Sequence, residues 1–220
     1  MTIALSVLGA SGKAGKRILE LASKDPEFVV VGALTRTSYL DVSQCDVAID
    51  FTSPEATQRH LEAAIESKKP LVIGTTGHSP EGRKAIEEAA KSIPILFSPN
   101  FSFGIALCLE AVARFGSALQ GSCTIDIIET HHIHKKDQPS GTAYAFAQAA
   151  GGGNVKIHSI RAGEVIGEHT IIFECGHERI ELKHTAHSRD AFAQGALLGA
   201  KFLSKKPAGL YSLKDIFISG

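Results

Sequence analysis

Short apolar runs alternate with longer polar-faced stretches over the first half of the chain. The runs IALSVLG, FVVVGALT, DVAIDF, PLVIG and PILFS are nearly continuous in Val, Ile and Leu, as strands covered on both faces of a parallel sheet must be. KAGKRILELASK, PEATQRHLEAAIESK and PEGRKAIEEAAKS lie between them and read as helices. This alternation predicts an α/β fold whose N-terminal part is a doubly wound, Rossmann-like domain. After Pro99 the pattern changes. A helical run from Gly104 to Ala118 is followed by CTIDIIETHH, KIHSIRAGEVIG, EHTIIFECG and ERIELKHTAH, strands in succession with short turns. They predict a second, α+β domain on a mixed or antiparallel sheet. AFAQGALLGAKFLSKK forms the last helix, and GLYSLKDIF a short tail. No internal repeat occurs, and Gly151-Gly152-Gly153 is expected to be an exposed turn.

A chain of 220 residues is long enough to bury a substantial core as one large or two small domains. Lys plus Arg equal Asp plus Glu at 23 each, so no overall basic field points to nucleic acid or an anionic membrane, and any charged partner must be met locally. MTIALSVLGASG lacks a basic leader and runs straight into glycines, and no apolar run is long enough to span a bilayer. Cys45, Cys108, Cys123 and Cys175 are scattered without a C-x-x-C pair, which suggests neither a zinc site nor a disulfide framework. A reducing cytoplasm is the expected location.

Gly9, Gly12 and Gly15 in GASGKAG follow an apolar strand and open a helix, where glycines permit a tight turn and backbone N–H groups can approach a pyrophosphate. The spacing is G-x-x-G-x-x-G, and the same residues would also serve a plain packing turn. The second strand ends at Thr35 and Arg36, with no acid to meet a ribose 2′-hydroxyl and a guanidinium that could grip a 2′-phosphate. That favours NADPH over NADH; the alternative, a solvated loop arginine, stays open. GTTG, Gly74 to Gly77, and SPNFSFG end two further strands on the ligand-binding edge of such a sheet.

The stretch ETHHIHKKDQPSGTAYAFAQAA crowds His131, His132, His134, Lys135 and Lys136 ahead of a helix start. Neighbouring strand residues point to opposite faces, so His131 and His132 do not readily share one metal ion, and no metal is assigned. Such clustered cations repel one another unless an anion joins them. Ser140 is a candidate N-cap after Pro139, and the N–H groups of the following turn bind carboxylates. A histidine titrates near neutrality and a lysine can hold a carboxylate or release a proton, so the stretch suits a small anionic molecule that must be protonated.

This segment resembles the E-x-H-H-x-x-K-x-D-x-P-S-G-T-A signature of the dihydrodipicolinate (4-hydroxy-tetrahydrodipicolinate) reductase family of lysine and diaminopimelate biosynthesis. The likeness runs through GASGKAG, VAIDFTSPEAT, GTTG, SPNFS, RAGEVIGEHT, ERIELKHTAHSRDAFAQGA and GLYSLKDI. It implies a dinucleotide-binding domain over 1–102 plus 190–220 and a substrate-binding and oligomerisation domain over 103–189. The lobes would close about hinges near 101–104 and 188–191.

The resemblance also implies roles. His131 would be the acid/base and Lys135 the proton donor, with His132, Ser140, Gly141 and Thr142 on the substrate carboxylates. Arg189 would be a further carboxylate contact or else a surface ion-pair partner. Gly9, Ala10, Ser11, Gly12, Lys13, Ala14 and Arg36 would meet the nicotinamide cofactor, as would Gly74, Thr75, Thr76, Ser98, Pro99, Asn100 and Phe101. NADPH is the expected donor, with NADH admitted, and a homotetramer is expected through the sheet of the second domain.

Four features depart from the family. Thr35 stands where relatives often carry an acid, Ser98 where many carry alanine, and His187 where serine is frequent; the 37–45 segment is short. A related semialdehyde dehydrogenase would need a cysteine in a glycine-rich loop, which is lacking, and a cofactor-binding sensor without chemistry would have lost His131 or Lys135, both present.

Overall fold

The computed structural model of the chain describes residues 2–119, 121–152 and 155–218. In chain order its elements are β1 (Ile3–Leu8), α1 (Lys13–Ala22), β2 (Phe28–Leu34), β3 (Val47–Asp50), α2 (Pro54–Glu66), β4 (Leu71–Ile73), α3 (Pro80–Ala89), β5 (Pro94–Phe97) and α4 (Phe103–Ala118). Then follow β6 (Thr124–His131), α5 (Gly141–Ala149), β7 (Val155–Arg161), β8 (Glu168–Glu174), β9 (Arg179–Thr185), α6 (Asp190–Leu203), β10 (Gly209–Tyr211) and α7 (Asp215–Ile218). The described residues form two compact units, one of residues 1–102 with 190–220, the other of residues 103–189.

The first unit holds a six-stranded parallel sheet in the order β10-β5-β4-β3-β1-β2. Its central strands are fully buried, so the unbroken apolar runs are the expected consequence of helices on both faces. Prolines mark two helix starts: Pro54 follows Ser53, and Pro80 follows Ser79, whose hydroxyl accepts the Gly82 N–H. In α1, Gly15, Ile18 and Ala22 form the buried stripe. The segment from Gly209, expected to be only a tail, supplies β10 as an edge strand beside β5. Three residues carry too little periodicity to announce a strand; pairing with Pro94–Leu96 makes it one.

The second unit holds a mixed sheet in the order β7-β6-β8-β9, with β6 parallel to β7 and antiparallel to β8. One face packs on α4 and α5 around Ile127, Phe146, Ile171 and Phe173. Gly151 and Gly152 adopt positive φ after α5, while Gly153 lies outside the described residues.

One expectation is overturned. Cys123 and Cys175 form a disulfide, although the spacing of the cysteines suggested none. Thr124 pairs with Glu174 across the β6–β8 ladder, so the residues just beyond that pair face each other. Strand register, invisible as a local motif, brings together two cysteines 52 positions apart.

Candidate active site

The last residue of β6 is His131, and the chain then loops to α5. Period two places Ile127, Glu129 and His131 on the buried face of β6. The loop returns Lys135, half buried, and Ser140 caps α5 by accepting the Ala143 N–H at 3.2 Å. Asp137 meets Lys135 at 2.8 Å. Lys135 holds the Asp137 carboxyl below the usual range, against the opposing pull of burial. An anion therefore already stands at the start of α5, and it is the protein's own.

The three histidines do not converge. The His131 ring bonds through Nδ1 to the fully buried Glu129 carboxylate and lies edge-on to His169, 5.2 Å between centroids. His132 points elsewhere, its ring 6.1 Å from that of the exposed His134, and its buried Nδ1 has no hydrogen-bond partner among the described residues. The Arg161 Nη2 stands 2.9 Å from Glu129 Oε1, an ion pair rather than a well-aligned hydrogen bond, and donates to the Asp137 carbonyl at 2.5 Å. Ser140 Oγ lies 3.5 Å from His169 Nε2. His131, Lys135, Ser140, Gly141 and Thr142 thus belong to one end of the second unit. Arg189 is exposed at the end of that unit and contacts none of them among the described residues.

Burial pushes the His131 imidazole below its ordinary pKa; Glu129 pulls it back, and Lys135 and Arg161 push it further down. For Glu129, burial works to raise the carboxyl, but Arg161, Ser159 and His131 outweigh it and keep it ionised. His169, deeper still, is pushed down to about 4, first by burial and then by its charged neighbours.

In the first unit, a cavity of about 720 Å³ opens at the carboxyl ends of β1, β2 and β3, with Gly9, Ser11, Gly12, Thr35 and Arg36 in its wall. An added Cβ at Gly9 would collide with the Phe51 carbonyl, and one at Gly15 with the Gly9 carbonyl, so the loop closes only on glycine. Gly9 N–H and Ala10 N–H both donate to the Leu34 carbonyl, which commits them to the fold. Gly12 caps α1 without a side-chain acceptor, and the first-turn N–H groups of Lys13, Ala14 and Gly15 have no intrahelical partner. Uncapped donors beside a glycine cradle fit a dinucleotide pyrophosphate.

The Thr35 N–H donates to Ser38 Oγ at 2.9 Å, while Arg36 has no polar partner among the described residues. Arg59, on α2, also lines the cavity and has no polar partner among the described residues. Its counterweight there is the Glu55 carboxylate, held below its usual pKa by Ser53.

Of the remaining expected contacts, Gly74 lies against the Phe51 ring, where no Cβ would fit, and Thr76 is exposed. Thr75 is buried: its hydroxyl accepts the Thr52 N–H and donates to Asp50. Ser98 donates to the Asn100 carbonyl at 2.6 Å, the added bond of a serine there, and follows β5 into Pro99. The Phe101 side chain is in the core against Phe51, so the cofactor is left its backbone.

Models of the dihydrodipicolinate reductase N-terminus and C-terminus match residues 3–101 and 104–217. The chain belongs to the dihydrodipicolinate reductase family. It is 42% identical over 238 residues to the 4-hydroxy-tetrahydrodipicolinate reductase of Xanthomonas euvesicatoria pv. vesicatoria, with 99% of each chain covered. The namesake enzyme of Akkermansia muciniphila is 37% identical over 239 residues, with 97% of each covered. Among solved structures, the dipicolinate-bound dihydrodipicolinate reductase from Paenisporosarcina sp. TG-14 shares the fold with a TM-score of 0.85, over 98% of this chain and 100% of that one, at 22% identity. A member of this reductase family is an oxidoreductase whose Rossmann-like unit serves a nicotinamide dinucleotide.

Some residues that build these two regions escape sequence reasoning. Asp50, at the end of β3, accepts from Thr52, Thr57 and Thr75 and bonds His60 at 2.9 Å, tying two strand ends to α2 behind the cofactor cavity. The DFTSPEAT text carries a signal for this hub in its repeated threonines after a lone buried acid. Glu129 had such a signal too, an acid inside an apolar strand; Arg161, His169 and Arg59 had none. Among the described residues no helix is long and apolar enough to cross a membrane.

Proposed function

We propose that this chain reduces 4-hydroxy-tetrahydrodipicolinate to tetrahydrodipicolinate in lysine and diaminopimelate biosynthesis, using NADPH in preference to NADH, in the cytoplasm. The observation that carries the reading is the cluster of His131, Lys135 and the capped start of α5 at one end of the second unit. A small dicarboxylate supplies the anions this cluster attracts, and relatives that match the chain from end to end bear the name of that reaction.

The 4-hydroxyl leaves as water together with a hydrogen from the adjacent carbon, giving a ring unsaturated at C4, and the nicotinamide, when bound, would supply a hydride to that C4. A proton must then reach the adjacent carbon, and Lys135 Nζ is the donor, with His131 the acid/base beside it. Ser140 and the Gly141–Thr142 backbone hold one carboxylate, and His132 and Arg189 meet the other. In the first unit, Ser11, Gly12, Lys13 and Ala14 hold the pyrophosphate and Arg36 the 2′-phosphate. The loops from Gly74 to Thr76 and from Ser98 to Phe101 flank the nicotinamide half.

Four copies assemble through the second unit's sheet. The support is the face turned away from α4 and α5, which carries Ile128, Ile160 and Ile172.

The test is an assay with the condensation product of pyruvate and aspartate semialdehyde, following NADPH and NADH oxidation separately. His131→Ala and Lys135→Ala should each lower kcat by about 10²–10⁴-fold, the usual worth of a positioned acid or base. Their cofactor Kd should stay within about twofold of wild type, since the cofactor residues lie in the other unit. Arg36→Ala should weaken NADPH and leave NADH nearly unchanged. Full activity in both the His131 and Lys135 variants rejects the assignment.

A further inference from the structure

Glu129 is a fully buried acid that the proton chemistry above does not use. It lies two residues before His131 on the same face of β6, and its Oε2 meets His131 Nδ1. The parallel partner of His131 across the sheet is Arg161, whose guanidinium reaches back to the other carboxylate oxygen at 2.9 Å. Bonds from Arg161 to the Ile160 carbonyl at 2.7 Å and the Asp137 carbonyl at 2.5 Å pin that guanidinium. On the other side Glu129 pairs in register with His169, whose ring covers His131 edge-on. The remaining edge of the imidazole belongs to Nε2. There Gly167 keeps the space clear, since a Cβ at that residue would stand 3.1 Å from Nε2.

We propose that Glu129 is a positioning residue for His131: its carboxylate accepts the Nδ1–H and so selects the tautomer that presents Nε2 to the substrate, while Arg161 offsets its charge. The inference rests on the functional reading above. An ionised carboxylate can only accept, so the nitrogen facing it carries the hydrogen. Nε2 is then the atom that gains or loses a proton. Glu129 stays ionised throughout, because Arg161 neutralises it and no proton passes to it. A lone carboxylate would hold the imidazolium strongly; with Arg161 on β7, Lys135 in the loop and His169 on β8 facing the same ring, the pull is balanced. The imidazole is thereby oriented while its Nε2 stays free to exchange a proton.

Two measurements test this. Long-range 1H–15N correlation on histidine-labelled wild-type protein, with His131 assigned by its loss in His131→Asn, should show neutral His131 as the Nδ1–H tautomer. An Nε2–H tautomer overturns the proposal, and this reading needs no substrate. Glu129→Gln should lower kcat about 10- to 100-fold, less than the roughly 10²–10⁴-fold of losing the acid or base itself, and shift the pH profile. NADPH affinity, measured by direct titration, should not change.

In the His131→Asn background the same substitution should cost less than about twofold, since Glu129 acts through His131. Equal losses in both backgrounds mean a merely structural role and overturn the proposal, as does unchanged kcat in Glu129→Gln. Failure of the functional reading looks different: His131→Asn would itself be fully active, whatever the tautomer.

Discussion

Asp137 is an anion that the chain supplies to its own site. By pairing with Lys135 it relieves part of the repulsion that the run of His131, His132, His134, Lys135 and Lys136 suggested. His131, Lys135 and Ser140 were legible because ten positions contain them, and local order alone keeps them near one another. Arg161 and His169 were not, being some 30 and 38 positions from His131 and adjacent only through strand register. His169 also sets a pH dependence. Its folded pKa, about 4, lies below the ordinary 6.5, so the unfolded chain takes up the proton first. The stabilising effect of its neutral form is complete above pH 6.5 and is lost as pH falls from there toward 4, by up to about 3 kcal/mol. In urea titrations at pH 7 and pH 4.5, His169→Gln should lose markedly less stability on acidification than wild type. Identical losses would mean that His169 is protonated in the folded protein.

The glycine loop divides its backbone donors between the fold and a ligand. Strand, loop and helix follow GASGKAG as expected, but the N–H groups of Gly9 and Ala10 are spent on Leu34, so the donors left for a phosphate begin further along. That division depends on β2 lying beside β1, which no motif records. The Cys123–Cys175 bond belongs to the same class, fastening the ends of β6 and β8. Closing a loop with a sequence separation of 52 restricts the unfolded chain by up to about 4 kcal/mol. Adding reductant should therefore lower the unfolding midpoint of wild type, while Cys123→Ser should start lower and no longer respond. Titration of four free thiols in the native, unreduced protein would contradict the bond.

The molecule's two sheets differ in what covers them. Helices clothe both faces of the parallel sheet, whereas the β7-β6-β8-β9 sheet has α4 and α5 on one face and Ile128, Ile160 and Ile172 half exposed on the other. Light scattering should give the mass of four chains for wild type, and Ile172→Lys should yield smaller species, because a charge desolvated in an apolar contact is costly. A wild-type monomer would refute assembly through that face.

From the residues alone follow the alternation of buried strands and helices, hence a parallel sheet, and the order of His131, Lys135 and Ser140 before a helix, because periodicity and capping act within a few positions. Only the tertiary structure decides that Arg17 on α1 binds Asp190 on α6, 173 positions away, that Gly209 begins a sixth strand, and that Glu129 and Arg161 clasp His131 from two strands. Those contacts depend on which strands become neighbours and in what register, which the burial of the whole core selects and no short segment encodes.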